Sequence, residues 1–372
     1  MQERAEIAII GGGIIGCAVA YQLAVRGYRD VTVLERDRVG GQAAIAFAGL
    51  LSGTPPGRRG DPFSLLAAAS LERFPRVAAD LSERTGIDCE LRQTGALYLA
   101  LTADEEAALR FPAGELQTLH PECRWLDARE LRELEPEVSP LFRGALSVPW
   151  EWQVLSPRLV HAYARAAALA GLRIRETVEV RGVECEGGRV SALVTSDGRL
   201  AVGQVVLAAG AWSGYLGRLF GLSLPVGPLR GQIIRLAAWG TTVRHSLYRG
   251  ELYLGAKADG TVAVGSTEEL ANFDRRPTGA GVALLSRFAV ETVPALGQAT
   301  FLDAWAGLRP LAEDGLPLIG RAPGLANVVV ATGHARHGVL LSPITAEVVA
   351  DLLEGRQPAI DLGPFAPARF AR

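Results

Sequence analysis

Three glycines near the N-terminus have the spacing of a nucleotide-binding turn. Gly11, Gly13 and Gly16 stand between an apolar run at residues 6–10 and a stretch with helical character at residues 14–26. The first glycine permits the tight turn, the second lets the backbone approach a pyrophosphate, and the third lets helix and strand pack closely. The N-terminus of such a helix also attracts negative charge. The pattern therefore predicts that a dinucleotide binds where the first strand ends.

Glu35 narrows the choice of dinucleotide. It follows the next predicted strand, residues 31–34, at the distance of about 20 residues that this motif requires. A carboxylate there accepts hydrogen bonds from a ribose 2′-hydroxyl and repels a 2′-phosphate. FAD or NAD is therefore expected and NADP is not. The residues alone leave the choice between FAD and NAD open.

Arg309 is the candidate for binding an anionic group. It stands in the segment 307–311, which is too apolar for a solvated surface arginine. A buried guanidinium needs an anionic partner. That partner is either a substrate carboxylate, held by two hydrogen bonds, or an internal acid such as Asp303 or Asp314. The residues alone do not decide between these alternatives.

The elements that position these residues follow from the pattern of apolar residues and turns. Residues 6–34 predict a βαβ unit, whose crossover implies a parallel sheet. Strands are expected throughout 172–207 and 231–266, and a buried strand at 327–331 precedes a closing helix at 340–353. Further helices are predicted at residues 63–85, 103–109, 128–134 and 156–170, the last with Ser156 as its cap.

Length, charge and cysteine content exclude several classes of protein. A chain of 372 residues, 49% hydrophobic and 21% charged, can bury the cores of two domains. A net charge of −2 without a basic arm argues against nucleic-acid binding. Four cysteines without a close pair argue against zinc and disulfides and suit a reducing cytoplasm. The apolar stretch 5–25 is interrupted by glycines and lacks a preceding basic region, so neither a membrane span nor a signal peptide is expected.

Five longer motifs indicate a family. They are residues 10–16 (IGGGIIG), 207–213 (LAAGAWS), 305–310 (WAGLRP), 314–320 (DGLPLIG) and 333–343 (GHARHGVLLSP). With them the chain resembles the D-amino acid oxidase superfamily of flavoproteins from end to end, and most closely its glycine oxidase branch, which serves thiazole biosynthesis. The resemblance implies that the cofactor is FAD. No metal site is expected.

The resemblance also implies an α/β (α+β) fold with two domains that are discontinuous in sequence. A Rossmann-like FAD-binding domain with a parallel sheet would comprise residues 1–84, 148–222 and 307–372. A β-rich substrate-binding domain, lying over the flavin, would comprise residues 85–147 and 223–306.

The resemblance further implies which residues contact FAD. They are Gly11, Gly13, Ile14, Ile15, Gly16, Glu35, Arg36, Ala43, Ala44, Ala48, Gly49, Leu50, Val178, Gly210, Gly333, His334, Ala335, Arg336, His337, Gly338, Val339 and Leu340. Residues 334–340 would wrap the isoalloxazine edge, where the N-terminus of the closing helix stabilises negative charge on reduced flavin. Relatives usually carry Thr or Ser at Ala43 and Ala44, so backbone N–H groups must serve the pyrophosphate in this chain.

Three residues are implied on the substrate side, namely Arg309, Tyr253 and Arg336. Arg309 and Tyr253 would orient the substrate carboxylate, and Arg336 would contact either flavin or substrate. Without the resemblance, a tyrosine on a predicted hairpin strand is more often a packing residue.

Four further polar residues stand close to these positions in the sequence. His334 and His337 are expected to pack against the flavin rather than to transfer protons. Glu251 and Glu268 depart from the family pattern, since relatives can carry histidine at the first position and an apolar residue at the second. A carboxylate near the pocket is expected to bind an amine, so the preferred substrate is expected to differ from glycine.

The implied reaction is the oxidative deamination of glycine or another small amino acid or amine, such as sarcosine or a small D-amino acid. Hydride would pass to N5 of FAD, O2 would reoxidise the flavin to give H2O2, and the imine would hydrolyse to glyoxylate or another keto acid and ammonia. Glycine imine for thiazole, and hence thiamine, synthesis is a possible use.

Two alternatives of different kinds stay open. The first is a dehydrogenase of D-amino acids, proline or sarcosine that passes electrons to a quinone or a protein partner. The second is a flavin- or nucleotide-binding module without activity, against which Arg309 and Tyr253 argue. A cytoplasmic protein without nucleic-acid partners or membrane insertion is expected, and homo-oligomerisation is left open.

The absence of a late cysteine predicts how FAD is attached. Some relatives link the flavin to a cysteine in the C-terminal third, whereas the last cysteine of this chain is Cys185. We expect acid precipitation of the holoenzyme to release all of the yellow colour into the supernatant. Colour retained in the protein pellet would contradict the prediction.

Overall fold

Two large sheets organise the chain. The structure is a computed structural model and describes residues 3–46, 48–52, 61–119 and 122–371, although nothing is said of the side chains of residues 112 and 114–119. The described helices are α1 (Ile14–Val25), α2 (Pro62–Thr85), α3 (Ala103–Leu119), α4 (Ala128–Leu134), α5 (Ser156–Leu169), α6 (Ser213–Leu219), α7 (Gly279–Thr292) and α8 (Gly338–Leu353).

The described strands belong to two eight-stranded sheets and one of three strands. They are β1 (Glu3–Ile10), β2 (Val31–Leu34), β3 (Leu50–Leu51), β4 (Arg92–Gln93), β5 (Ala96–Ala100), β6 (Arg124–Asp127), β7 (Gly144–Val148), β8 (Trp152–Gln153), β9 (Arg173–Arg175), β10 (Val180–Glu186), β11 (Arg189–Thr195), β12 (Gly198–Leu207), β13 (Val226–Ala237), β14 (Ser246–Arg249), β15 (Leu252–Ala256), β16 (Thr261–Gly265), β17 (Thr300–Ala312), β18 (Leu318–Arg321) and β19 (Val328–Thr332).

The first large sheet has a parallel centre made from distant parts of the chain. Its order is β10-β11-β12-β1-β2-β9, and β19 pairs with β12 and β18. β1 pairs in parallel with β2 and β12, and β12 pairs in parallel with β19. Alternate residues of these strands enter two separate hydrophobic cores, one shared with α1, α2, α5 and α8 and the other on the opposite face. Burial on both faces explains why these strands are apolar throughout.

The second large sheet is mainly antiparallel, in the order β17-β13-β16-β15-β14-β5-β7-β6. Its core contains Leu285, Phe288 and Ala289 of α7. The long β13–β17 pair places Arg309 opposite Leu229. This sheet therefore holds Arg309 on β17 and Tyr253 on β15.

Most of the predicted elements are confirmed, but β17 and β18 were not expected, and α3 extends ten residues beyond its predicted end at residue 109. The βαβ unit appears as β1, α1 and β2, and the helix at 128–134 has the predicted bounds. Ser156 as a cap is wrong, because it lies in the first turn of α5 and its hydroxyl donates a hydrogen bond of 2.9 Å to the carbonyl oxygen of Ala44. α7 was not expected, because its segment follows a region rich in strands.

The strands of the two large sheets come from chain segments that can be compared with the predicted domain boundaries. Strands of the first sheet lie within residues 3–34, 173–207 and 318–332, and those of the second within 96–148 and 226–312. These segments alternate along the chain in the same order as the predicted domain segments. However, β17 runs without a break through the predicted boundary at residue 307, so the boundaries stay a prediction.

In the described ranges, no helix is long and apolar enough to span a membrane.

Candidate cofactor and substrate site

The glycine turn is fixed by two close backbone approaches. Gly11 has a φ of 112°, and a Cβ on it would lie 2.4 Å from the carbonyl oxygen of Ala208. A Cβ on Gly16 would lie 1.9 Å from the carbonyl oxygen of Gly11. At Gly13, by contrast, no described atom beyond Gly13 itself and its two chain neighbours lies within 4 Å of the position that a Cβ would take. The fold therefore requires the first and third glycines, whereas the second faces open space.

This open space belongs to a cavity of about 1430 Å³, a volume that includes its open mouth. The cavity lies at the carboxyl ends of the parallel strands, where doubly wound sheets bind their ligands. Most of the predicted cofactor residues line it, together with Arg309. They are Gly11, Gly13, Ile14, Ile15, Glu35, Arg36, Ala43, Ala44, Val178, Gly210, His334, Ala335, Arg336, Gly338 and Val339.

Eight predicted site residues do not line this cavity. They are Gly16, Ala48, Gly49, Leu50, Tyr253, Gly333, His337 and Leu340. Gly49 serves packing, since a Cβ on it would lie 1.7 Å from the carbonyl oxygen of Val154. Ala48 and Leu50 join a small buried cluster that Tyr253 contacts. Contacts between these residues and FAD stay a prediction.

The carboxylate of Glu35 is held by backbone donors. The N–H groups of Gly12 and Asp37 donate to its two oxygens at 2.7 and 2.8 Å, and the residue is 8% exposed. The next side chain, Arg36, lies over the ring of Trp212 at 4.5 Å. Trp212 lay inside a motif, but sequence reasoning missed its contact with Arg36, because nothing in the spacing of these residues predicts it.

Arg309 contacts neutral acceptors. Its Nη1 donates to the carbonyl oxygen of Thr267 at 3.0 Å, and its Nη2 donates to Oγ of Ser266 at 2.5 Å. Within the described ranges, the only carboxylate within 4.0 Å is that of Glu268, at 3.8 Å and beyond hydrogen-bonding distance. Burial lowers the pKa of Arg309, and the hydroxyl of Tyr253 is among the nearby groups that partly offset this effect. Sequence reasoning missed Ser266 and Thr267.

The two internal acids considered for Arg309 are not its partners. Asp303 pairs with Arg235 at 2.7 Å, and Asp314 pairs with Arg369 at 2.7 Å. Both alternatives are therefore wrong, because other arginines lie closer to these carboxylates. The guanidinium of Arg309 keeps its remaining donors for a group in the cavity that it lines.

Arg336, in contrast to Arg309, is paired with carboxylates of the protein. Its Nη2 contacts carboxylate oxygens of both Glu251 and Glu268. These are the two glutamates at which the chain departs from the family pattern. Both carboxylates are thus paired with a cation. The expectation that a carboxylate near the pocket binds a substrate amine stays a prediction.

The histidines and the closing helix complete the site. Burial lowers the pKa of His334 to about 3, and its Nε2 lies 3.1 Å from Oγ1 of Thr345, so the ring is neutral at ordinary pH. The His337 ring packs against Phe63 with centroids 4.6 Å apart. Both arrangements agree with packing. The first residues of α8, Gly338 and Val339, line the cavity and bring the positive end of the helix dipole to it.

Comparison with known proteins decides the family. Residues 6–352 match the family described as DAO, FAD dependent oxidoreductase. The chain belongs to this family. The resemblance drawn from its motifs is thus confirmed, the chain is an FAD-dependent oxidoreductase, and the choice between FAD and NAD is settled.

Individual relatives agree with this assignment. The oxidoreductase is 37% identical over 372 residues to a glycine oxidase of Geobacillus kaustophilus, with 99% of this chain and 98% of the relative covered. It is 36% identical over 363 residues to a glycine oxidase of Pseudomonas putida, with 97% and 98% covered. The crystal structure of glycine oxidase from Geobacillus kaustophilus superimposes with a TM-score of 0.95 at 36% identity, over 100% of both chains. The expected fold class is confirmed.

The residues of this oxidoreductase fit FAD. The space beside Gly13 is open, and a pyrophosphate placed there would meet the N-terminus of α1. Glu35, whose carboxylate is fixed by backbone N–H groups, would accept hydrogen bonds from a ribose. The N-terminus of α8 would face the flavin, whose reduced form carries negative charge.

The different roles of the glycines predict different effects of alanine. Gly13 has a φ of −77° and a ψ of −174°, which alanine adopts freely, so Gly13→Ala should change the unfolding free energy of the apoprotein by less than about 1 kcal/mol. Its methyl group enters the pyrophosphate space and should weaken FAD binding at least about tenfold. Urea denaturation and quenching of flavin fluorescence measure the two quantities.

Gly16→Ala is the matched control. Its methyl group meets backbone and should destabilise the apoprotein by about 1–3 kcal/mol or more. Equal loss of stability in both variants, or unchanged FAD affinity in Gly13→Ala, would contradict the assignment.

Proposed function

We propose that this oxidoreductase acts on glycine or another small amino acid or amine, such as sarcosine or a small D-amino acid, and uses O2 as the electron acceptor. The products would be H2O2, ammonia and a keto acid, which is glyoxylate when glycine is the substrate. The names and the similarity of the relatives support this proposal. Within the chain, the observation that carries it is the buried guanidinium of Arg309, which lines the cofactor cavity without a carboxylate in hydrogen-bonding contact.

Arg309 would bind the substrate carboxylate. Its two hydrogen bonds to Thr267 and Ser266 fix the plane of the guanidinium, so that little rotational freedom is lost when the carboxylate binds. Tyr253, whose hydroxyl lies near Arg309, would donate a second contact to the same carboxylate. The carboxylate end of the substrate is thus held while its α-carbon is directed into the cavity.

The rest of the chemistry requires few ionisable groups of the protein. FAD, when bound, supplies the acceptor for the hydride that leaves the α-carbon. His334 is neutral because burial lowers its pKa to about 3, so it would serve as a packing surface. The N-terminus of α8 would favour negative charge near it during the transfer. A role in supplying glycine imine for thiazole synthesis is part of the proposal.

An anaerobic substrate screen tests the reaction. We expect glycine, sarcosine or D-alanine to bleach the flavin absorbance of the holoenzyme faster than L-alanine or D-phenylalanine does. Faster bleaching by D-phenylalanine than by both glycine and D-alanine would contradict the proposed substrate class. In air, turnover should consume O2 and form H2O2; bleaching without O2 consumption would indicate a dehydrogenase with another acceptor.

The role of Arg309 predicts a differential effect. Removing one partner of a buried charge pair costs roughly 2–5 kcal/mol, which corresponds to about 30- to several-thousand-fold. We expect Arg309→Ala to lose this much kcat/KM on glycine and far less on methylamine, which has no carboxylate. Arg309→Lys should not restore the activity, because an ammonium cannot form the two parallel hydrogen bonds.

Arg235→Ala is the matched control, since Arg235 lies on the neighbouring strand β13 and pairs with Asp303. It should leave kcat/KM on both amines within about twofold of the parent. An equal loss on glycine and methylamine in Arg309→Ala, or loss of FAD from this variant, would show that Arg309 is a structural residue.

A further inference from the structure

Two acidic residues meet Arg336 beside the proposed substrate site. Glu251 lies in the turn between β14 and β15, and Glu268 follows β16. Nη2 of Arg336 contacts a carboxylate oxygen of each. The side chain of Glu251 is 68% exposed, and those of Glu268 and Arg336 are about one third exposed. Arg336 therefore carries two counter-ions, although one would neutralise it.

Arg309 differs from Arg336 in its partners and in its burial. Its hydrogen bonds go to the neutral oxygens of Ser266 and Thr267, and its side chain is 12% exposed. Both arginines line the same cavity. The cavity thus offers one buried cation that can accept an anion and one cation that is already occupied.

We propose that Glu251 and Glu268 determine specificity by occupying Arg336, and that they restrict the site to substrates with a single carboxylate. This inference rests on the proposed function and names the substrate class more narrowly. The two arginines and two glutamates sum to zero charge before the substrate binds. The first carboxylate meets Arg309. A second carboxylate would enter beside two glutamates and find Arg336 neutralised, which disfavours its binding.

The solvent exposure of the two glutamates determines how strongly a second carboxylate should be disfavoured. Glu251 is largely exposed, so water and salt screen much of its repulsion. Glu268 is less exposed, and its Oε1 lies 3.8 Å from Nη1 of Arg309, close to where the first carboxylate would bind. We therefore expect at least about tenfold discrimination against the dianion, but not complete exclusion.

Malonate and malonamate test the inference in the holoenzyme. They share a carboxylate and a similar shape, but malonate has a second carboxylate where malonamate has a neutral amide, and neither has an amine to oxidise. Binding is measured by perturbation of the flavin absorbance at neutral pH. The parent should bind malonamate at least about tenfold more tightly than malonate.

The double variant Glu251→Gln/Glu268→Gln should abolish this preference. With Arg336 freed, malonate should gain at least about tenfold in affinity, while malonamate should stay within about threefold of the parent. The matched control Glu291→Gln/Glu313→Gln removes the same charge from two exposed residues outside the site and should leave the ratio unchanged.

The outcomes separate this inference from the proposed function. Equal binding of the two ligands by the parent, or a preference that survives in the double variant, overturns the specificity assignment. A change of the same size in the control overturns it as well, because net charge alone would then explain it. Bleaching by glycine reports the proposed function independently, so bleaching with an unchanged ratio leaves that function intact. A ratio that collapses without bleaching by any amino acid would refute the proposed function alone.

Discussion

The close packing of α1 on the end of β1 is the constraint from which the site follows. A Cβ on Gly16 would lie 1.9 Å from the carbonyl oxygen of Gly11, and a Cβ on Gly11 would lie 2.4 Å from that of Ala208, so this packing requires glycine at both positions. The N-terminus of α1 is thereby placed at the carboxyl end of the parallel strands. α8 begins beside it: the position that a Cβ on Gly338 would take lies 3.7 Å from a methyl group of Ile14, which is ordinary van der Waals contact. Two helix N-termini thus converge on one cavity, which suits a cofactor that carries a pyrophosphate and gains negative charge on reduction.

The charged groups around this cavity are distributed so that each is held by a different kind of partner. Backbone N–H groups hold the carboxylate of Glu35. Neutral oxygens hold Arg309, and glutamates hold Arg336. A buried charge that is held by neutral dipoles still attracts a ligand of opposite charge, whereas a charge that is paired with a counter-ion attracts it much less. The contrast between the two arginines therefore separates a group that can bind an anion from one that is neutralised.

The sequence allowed the local parts of this arrangement to be predicted. The glycine turn, the acid after β2 and the first helix lie within about 30 residues, and their spacing reflects contacts along the chain. The partners of Arg309 could not be found in this way. Asp303 was a reasonable candidate by proximity, but on β17 it pairs with Arg235 across the β13–β17 ladder. Ser266 lies 43 residues before Arg309 in the sequence. No periodic pattern of residues identifies a serine whose hydroxyl will accept a hydrogen bond from a guanidinium. Side-chain contacts between sheets and loops depend on tertiary register, which single-sequence patterns do not contain.

The cavity draws its lining from residues as far apart as Ile10 and Val339. During translation, at 5–20 residues per second, α1 therefore leaves the ribosome on the order of half a minute before the start of α8 can reach it. Throughout that interval α1, an almost entirely apolar helix that is buried in the finished protein, lacks α8, which is one of the two helices that pack most extensively on it. FAD cannot stabilise the incomplete chain in this interval, because the cavity lacks the part of its lining that lies near residue 339. The apolar surface that stays exposed meanwhile makes the incomplete chain prone to aggregation.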